Sequence, residues 1–180
     1  MEALAAKSGL TVANASQHLQ ALRRPGLVVG ERRGKQVVYR LSGDDVLDLV
    51  AALRAVGERH TESVRAVVDD YFQTRDALEA VPFATLEQWM ADGLVTLLDV
   101  RPPDEFIDGH VLGARNIPLA ELKARLDELP PDVDVVVYCR GPWCVLAFEA
   151  VAFLRAAGRV ARRLDGGLPE WRRAGLPVAS

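Results

Sequence analysis

The feature that most constrains the fold is a short loop with two cysteines, set between two apolar stretches. Residues 133–138 are mostly β-branched and predict a buried strand. Residues 145–157 are mostly Ala, Leu, Val and Phe and predict a helix that ends at Gly158. The loop, residues 139–144 (CRGPWC), therefore lies at a helix N-terminus, where unpaired backbone N–H groups and the helix dipole favour negative charge. Strands that alternate with helices from residue 81 onward predict an α/β domain with a mostly parallel sheet.

Cys139 is the candidate catalytic residue of this loop. A thiol near a helix N-terminus loses its proton more readily and becomes a nucleophile, whereas a buried structural cysteine is the alternative interpretation. Backbone N–H groups along the loop are expected to cradle an anion, except at the proline, which has none. The side chains of Arg140 and Trp143 are expected to face outward and select the substrate. The candidate active-site loop comprises Arg140, Gly141, Pro142, Trp143 and Cys144.

Ordered motifs surround the loop. They are LLDVR with EF in residues 97–106, GHVLGA with NIP in residues 109–118, YCRG in residues 138–141, and LDGG with a tryptophan in residues 164–171. Together these motifs resemble the rhodanese family of sulfurtransferases. The resemblance implies that Cys139 accepts a sulfane sulfur, becomes a persulfide, and passes the sulfur to a thiol acceptor. Arg140 would suit an anionic donor such as thiosulfate, and no cofactor or metal is expected.

Three further residues belong to the candidate site. Cys144 either fills the first turn of the helix as a small residue, or resolves a persulfide or sulfenate on Cys139 by forming a disulfide. Asp99 and Arg101 follow one another at the end of a predicted strand, on the edge where parallel sheets place their sites. We interpret them as an ion pair that organises the neighbouring loop.

The beginning of the chain has the pattern of a helix-turn-helix. Residues 2–7 predict a short helix, and Thr11 is a candidate N-cap for a second helix that runs to Leu22. Helical spacing predicts a buried face of Val12, Ala15, Leu19 and Leu22. The second helix is expected to enter the major groove of DNA. Its candidate DNA-contacting residues are Thr11, Asn14, Ser16, Gln17, His18 and Gln20.

A basic hairpin is predicted next. Residues 28–32 and 36–41 are short strands joined by Arg33-Gly34, and Arg32, Arg33 and Lys35 cluster at the tip, where they would meet phosphates. The formal net charge of the chain is −3, but basic residues predominate in this region. A helix-turn-helix followed by a basic hairpin is a winged helix. Within this winged helix, residues 19–28 and 39–41 resemble the ArsR family of bacterial transcriptional regulators. The resemblance implies a double-stranded DNA operator as partner.

A long helix is predicted after the hairpin, and it carries apolar residues at alternating steps of four and three. This pattern predicts a seam for a second helix, and in ArsR-like proteins the helix in this position helps to form a homodimer. We interpret His60 as a packing residue of the seam rather than a metal ligand. The seam residues are Val46, Val50, Leu53, Gly57, His60, Val64, Val67, Tyr71, Thr74 and Leu78.

The predicted organisation is a winged helix-turn-helix in residues 1–41, a dimerisation helix and linker in residues 42–80, and a rhodanese-like domain in residues 81–180. Val81-Pro82 is expected to mark the linker, since proline interrupts a helix. The family's first helices are absent from the sequence, so we expect a truncated or misassigned start. Because we find no signal peptide or membrane span and only two closely spaced cysteines, we expect a cytoplasmic protein.

Three functions remain open. The first is an ArsR-like regulator whose rhodanese domain transfers or senses sulfane sulfur through Cys139. The second is a plain thiosulfate-type sulfurtransferase, in which the truncated winged helix only dimerises the enzyme. The third is a phosphatase or arsenate reductase of the related fold. We rank the third low because those enzymes need a longer loop, and here Cys144 stands where the loop ends.

Overall fold

The computed structural model describes residues 2–34, 36–62, 80–142 and 144–180. The chain divides into two compact units, Met1–His60 and Thr61–Ser180. The distal part of the predicted seam, from Val64 to Leu78, lies outside the described residues. None of the described helices is long and apolar enough to cross a membrane.

The first unit is the predicted helix-turn-helix with a hairpin, and this prediction is confirmed. Its elements are α1 (Glu2–Ser8), α2 (Val12–Arg23), β1 (Val28–Arg33), β2 (Gln36–Leu41) and α3 (Asp44–His60). The two strands are antiparallel, in a register that runs from Val28 opposite Leu41 to Arg33 opposite Gln36. Gly34 turns the hairpin with φ +63°, a backbone conformation that favours glycine.

The apolar core of the first unit is small, and it corrects two expectations. Among the side chains that the structure describes in this unit, the buried apolar ones are Ala5, Ala15, Val28 and Val46. Of the face predicted on α2, Ala15 is buried and Leu19 half-buried, whereas Val12 and Leu22 are exposed. These two lie in the first and last turns of α2. Val46, expected on the seam, is instead buried.

The second unit is an α/β domain, as predicted. Its elements in chain order are α4 (Phe83–Ala91), β3 (Val95–Asp99), α5 (Pro103–Ile107), β4 (His110–Val111), β5 (Arg115–Asn116), α6 (Leu119–Leu122), a 3-10 turn (Leu126–Glu128), β6 (Asp134–Tyr138), α7 (Val145–Ala156), β7 (Ala161–Arg163), α8 (Leu168–Arg173) and β8 (Val178–Ala179). The main sheet is parallel, with the strand order β5-β3-β6-β7. A short antiparallel pair joins β4 to β8.

The central strand β6 is buried on both faces, and this explains its nearly continuous apolar sequence. Side chains alternate along a strand, so Val135, Val137 and Cys139 share one core cluster with α7. Val136 and Tyr138 belong to the other cluster, which α4 and α8 cover. The cysteine that follows β6 is therefore directed to the α7 side.

Two local expectations about the second unit were wrong. Val81 is not linker: it is buried, forms a parallel bridge with Leu164, and its N–H donates to the Arg163 carbonyl over 2.7 Å. The sequence of residues 119–129 predicts one helix, but these residues form the short helix α6 and a separate 3-10 turn. This broken arrangement buries Leu122 and Leu129, so apolar spacing alone did not distinguish it from a continuous helix.

Candidate active site

Cys139 follows the last residue of β6, at the carboxyl edge of the parallel sheet. Because β6 lies between β3 and β7, this position is central in the sheet. Its side chain has no exposed surface and belongs to the α7-side core. The Leu168 N–H donates to the Cys139 carbonyl over 3.2 Å, so the N-terminal end of α8 fixes the backbone at the start of the loop.

Cys139 and Cys144 form a disulfide, with their Cα atoms 6.2 Å apart. The sequence predicts a Cys139 thiolate, whereas the structure holds the oxidised form. Cys144 occupies the N-cap position of α7, and its N–H donates to the Gly141 carbonyl over 3.1 Å. In the disulfide form, the Cys144 N–H is therefore hydrogen-bonded within the loop. Trp143 lies outside the described residues.

Gly167 supports the loop from the side of α8. A Cβ at this position would lie 2.6 Å from the Cys139 carbonyl oxygen and 2.7 Å from the Arg140 carbonyl carbon, and closer still to the Gly141 nitrogen. The φ of Gly167 is −143°, which any residue adopts. Its lack of a side chain is therefore required by the close approach of the loop backbone.

Arg140 does face outward, as expected, but it is paired. Its guanidinium makes two hydrogen bonds with the Glu105 carboxylate, from Nε over 2.9 Å and from Nη2 over 2.7 Å. Glu105 lies on α5, thirty-five residues away in the sequence. The charge that was expected to meet an anionic donor is thus balanced by a carboxylate.

Asp99 and Arg101 form a buried, two-pronged ion pair at the end of β3. Arg101 Nε lies 2.9 Å from Asp99 Oδ1, and Nη2 lies 2.5 Å from Oδ2. Arg101 also donates to the Gly109 carbonyl over 2.8 Å, and the Asn116 side chain donates to the carbonyls of both paired residues. Burial lowers the pKa of Arg101, but the hydrogen bonds and charge of Asp99 outweigh burial and raise it overall. The pair therefore ties the end of β3 to the turn at Gly109 and to β5.

Tyr138 extends this buried polar network beneath the loop. Its hydroxyl accepts a hydrogen bond from the Val111 N–H over 3.1 Å, and the Arg101 guanidinium lies 5.7 Å from its ring centre. Burial, followed by the charge and hydrogen bond of Asp99, raises the pKa of Tyr138 far above its ordinary value. The residue before Cys139 therefore stays neutral and ties β6 to β4.

The histidine of the second motif has a structural position. His110 Nδ1 lies 2.9 Å from the Phe106 carbonyl, and the two rings stack with their centres 3.6 Å apart. In the first unit, His60 is exposed at the end of α3. Within the described ranges, no group of histidine, cysteine, aspartate and glutamate side chains is arranged to hold a metal ion.

The candidate DNA-contacting residues occupy one helix and the hairpin tip. Thr11 caps α2, because its Oγ1 accepts the Asn14 N–H over 3.2 Å. Ser16 is half-buried, whereas Asn14, Gln17, His18 and Gln20 are exposed. At the hairpin, Arg32 and Arg33 are exposed, and Arg33 forms a surface pair with Glu31. Lys35 lies outside the described residues.

The sequence alone does not reveal the roles of three residues that shape the loop. Glu105 belongs to the first motif, but its partner Arg140 is distant in sequence. Tyr138 has the pattern of the end of an apolar strand, and its hydroxyl contacts lie on another element. Gly167 stands in a pair of glycines, and such a pair beside a candidate site is a signal of close backbone approach.

Known proteins are similar to both units. Residues 83–174 match the family model described as Rhodanese-like domain. An HTH-type transcriptional regulator of Mycobacterium tuberculosis is 45% identical over 178 residues, which cover 99% of this chain and 78% of that protein. A sulfurtransferase of Allochromatium vinosum is 37% identical over 99 residues, covering 53% of this chain and 90% of that protein.

The fold of the second unit also has solved counterparts. A rhodanese-related protein from Thermoplasma volcanium superposes with a TM-score of 0.51 at 30% identity, covering 57% of this chain and 98% of that one. A protein from Lactobacillus plantarum superposes with a TM-score of 0.54 at 31% identity, covering 56% of this chain and 87% of that one. These matches cover little more than half of the chain.

Proposed function

This chain belongs to the rhodanese-like family, and from that premise we propose that it is an ArsR-like transcriptional regulator whose second unit loads a sulfane sulfur on Cys139. The observation that carries the proposal is the position of Cys139. It follows the central parallel strand and directly precedes the loop and helix that the family motifs surround. Open α/β sheets place their reactive groups at this edge.

The proposed chemistry begins with the reduced form of the loop. The Cys139 thiolate attacks the outer sulfur of thiosulfate, the sulfur–sulfur bond of the donor breaks, and sulfite leaves with the bonding electrons. The product is a Cys139 persulfide. An acceptor thiolate then attacks the outer sulfur of that persulfide, and Cys139 leaves as the thiolate. The positive end of the α7 dipole stabilises the thiolate in both steps.

Arg140 is the proposed contact for an anionic donor. Its guanidinium lies beside the loop, and the bidentate pairing with Glu105 fixes its orientation. An arriving dianion would compete with the Glu105 carboxylate for the same donors. Glu105 is therefore proposed to weaken the attraction for thiosulfate relative to donors of lower charge.

The first unit is proposed to bind double-stranded DNA. The hairpin of this unit exposes Arg32 and Arg33. Helix α2 exposes the polar side chains of Asn14, Gln17, His18 and Gln20. Polar side chains on a helix can read base edges, and arginines on a hairpin can neutralise phosphates. The similarity to a mycobacterial HTH-type regulator over nearly the whole chain supports this part.

A homodimer is proposed through α3. Leu49, Val50, Leu53 and Val56 fall on one face of this helix, and all are exposed. An apolar stripe of this kind is typical of a surface that a second helix covers. A dimer would present two copies of α2 to the two half-sites of an operator.

The proposal is tested by DNA binding at fixed salt concentration. A duplex is selected from a random-sequence pool with the reduced protein, and its affinity is measured for the reduced and the thiosulfate-treated forms, with Cys139→Ser as control. We expect the treatment to change the affinity of the wild type and not that of Cys139→Ser. Equal affinities would end the coupling between sulfur loading and DNA binding. Failure to select any duplex would remove the regulator and leave the plain sulfurtransferase.

A further inference from the structure

We infer that the second unit reduces sulfane sulfur to sulfide by itself, with Cys144 as the resolving thiol for the Cys139 persulfide. This inference rests on the proposed function, since it begins from the persulfide. It adds a reaction that sulfur transfer to an external acceptor does not include. The observation behind it is that Cys139 and Cys144 are directly bonded.

The bond answers the geometric question that the sequence left open. Four residues lie between the two cysteines, more than a two-residue spacer, so the loop has to fold back for the sulfurs to meet. It does so while both ends are held in place. The Leu168 N–H binds the Cys139 carbonyl, and Cys144 is the N-cap of α7. The disulfide is therefore compatible with the positions of the strand before the loop and the helix after it.

The position of Cys144 also suits it as an attacking group. Its sulfur packs against the same core cluster that contains Cys139, at the first position before α7. A thiol at a helix N-cap has a stabilised thiolate, so attack on a neighbouring persulfide is favoured. The two sulfurs are held in one loop, and their encounter is intramolecular, which favours it over capture by an acceptor from solution.

The reaction balances without an external oxidant. The Cys144 thiolate attacks the inner sulfur of the persulfide, which is Cys139 Sγ. The bond between the inner and outer sulfurs breaks, and the outer sulfur leaves with the electron pair as hydrosulfide. The sulfane sulfur is thereby reduced to sulfide, and the two cysteines are oxidised to the disulfide. A dithiol reductant then restores both thiols by exchange.

Formation of the disulfide also removes the reactivity of Cys139 toward other molecules. In the disulfide form Cys139 has no exposed surface, and its sulfur is already bonded. It can neither attack a donor nor hand over a sulfur. Each chain therefore processes one sulfur and stops until a dithiol reopens the loop.

The test uses the full chain, reduced, freed of reductant and kept without oxygen. Thiosulfate is added, released sulfide is trapped and quantified, and the chain is alkylated and weighed by intact-mass spectrometry. We expect the wild type to release about one sulfide per chain and to end as the disulfide. Cys144→Ser is expected to release at least about tenfold less sulfide and to keep one added sulfur on Cys139. Cys139→Ser is expected to do neither.

The remaining outcomes separate this inference from the proposed function. A wild-type chain that keeps the added sulfur and releases no sulfide overturns the resolving role of Cys144, while the proposed persulfide stands. If neither the wild type nor Cys144→Ser gains or releases sulfur, the persulfide itself is wrong and the inference falls with it. Cys144→Ala repeats the experiment without a hydroxyl, and circular dichroism checks that each variant is folded.

Discussion

At the level of single residues, the candidate site contains two ion pairs between an arginine and a carboxylate. Asp99 and Arg101 are buried together, and removal of one partner would leave the other charge without compensation, which typically costs about 3–5 kcal/mol. Arg140 and Glu105 are more exposed, so their pair contributes little to stability. The buried pair therefore serves the fold, whereas the outer pair is the one that we propose affects which donor approaches Cys139.

Glu105→Gln is expected to raise kcat/KM for thiosulfate about two- to five-fold, through a lower KM. The substitution removes a negative charge from the loop entrance and releases the Arg140 guanidinium, and an exposed interaction of this kind is worth about 0.4–1 kcal/mol. Steady-state transfer from thiosulfate to cyanide measures the effect, and it should shrink as salt is added.

Glu128→Gln is the matched control for this change. It removes a carboxylate that is likewise paired with an arginine, Arg125, on a different part of the surface. It raises the net charge of the chain by the same one unit and should leave the KM for thiosulfate unaltered. The donor-selecting role of Glu105 is refuted if both variants change KM equally, or if neither does.

At the scale of elements, the loop is shaped by its neighbours as much as by its own sequence. The strand β6 brings Cys139 to the edge of the sheet, α7 fixes Cys144, and the backbone of Gly167 presses against the loop from the third side. Protein interiors are close-packed, so an additional methyl group displaces the neighbouring atoms. The glycine is therefore a positioning residue for the loop.

Gly167→Ala is expected to lower the free energy of unfolding by about 1–3 kcal/mol and to abolish most sulfur loading of Cys139, because the new methyl group overlaps the loop backbone. Gly158→Ala provides the comparison. Gly158 has φ +78° and open space around it, so alanine there costs about 1 kcal/mol of backbone strain without touching the loop. Denaturant titration and intact mass after thiosulfate treatment measure the two effects. Equal loading of both variants would contradict the positioning role.

The strand, loop and helix around Cys139 were predictable because their signals are local. The β-branched run of β6 alternates between two cores, and Gly158 ends the helix that follows. The pairing of Arg140 with Glu105 and the contact of Gly167 with the loop were not predictable, because they join segments that meet only in the folded domain. On α2, helical spacing identified the apolar face but not which of its residues other elements cover. Val12 and Leu22 were therefore expected to be buried, and they are exposed.

At the scale of the whole molecule, the two units differ in how much core they possess. The second unit has two clusters of buried side chains, one on each face of its sheet. Of the described residues of the first unit, few apolar ones are buried, and apolar side chains along α3 are exposed. A small unit gains little stability from its own core, so burial of an exposed apolar stripe against another helix would stabilise it. This contrast supports α3 as the proposed dimer surface.

Leu53→Glu is expected to convert the proposed dimer to monomers. Leu53 is 70% exposed in the chain, at the middle of the apolar stripe on α3. A carboxylate buried between two apolar helices would lose its hydration, so the dimer dissociation constant should rise more than about tenfold, which corresponds to about 1.4 kcal/mol. Sedimentation velocity over a concentration series gives the dissociation constant. Affinity for a two-half-site duplex should fall with it, since the two copies of α2 would no longer bind as a unit.

Ile107→Glu distinguishes a specific seam from a general effect of added charge. Ile107 is 68% exposed and lies at the end of α5 in the second unit, so the same substitution there removes a similar apolar surface and adds the same charge. It should leave the sedimentation of the dimer unchanged. A dimer that survives Leu53→Glu would place the contact elsewhere on the chain, and a dimer that fails equally in both variants would show that α3 holds no particular seam. Only loss confined to Leu53→Glu agrees with a symmetric contact along α3, in which each copy of the residue faces the other across the two-fold axis.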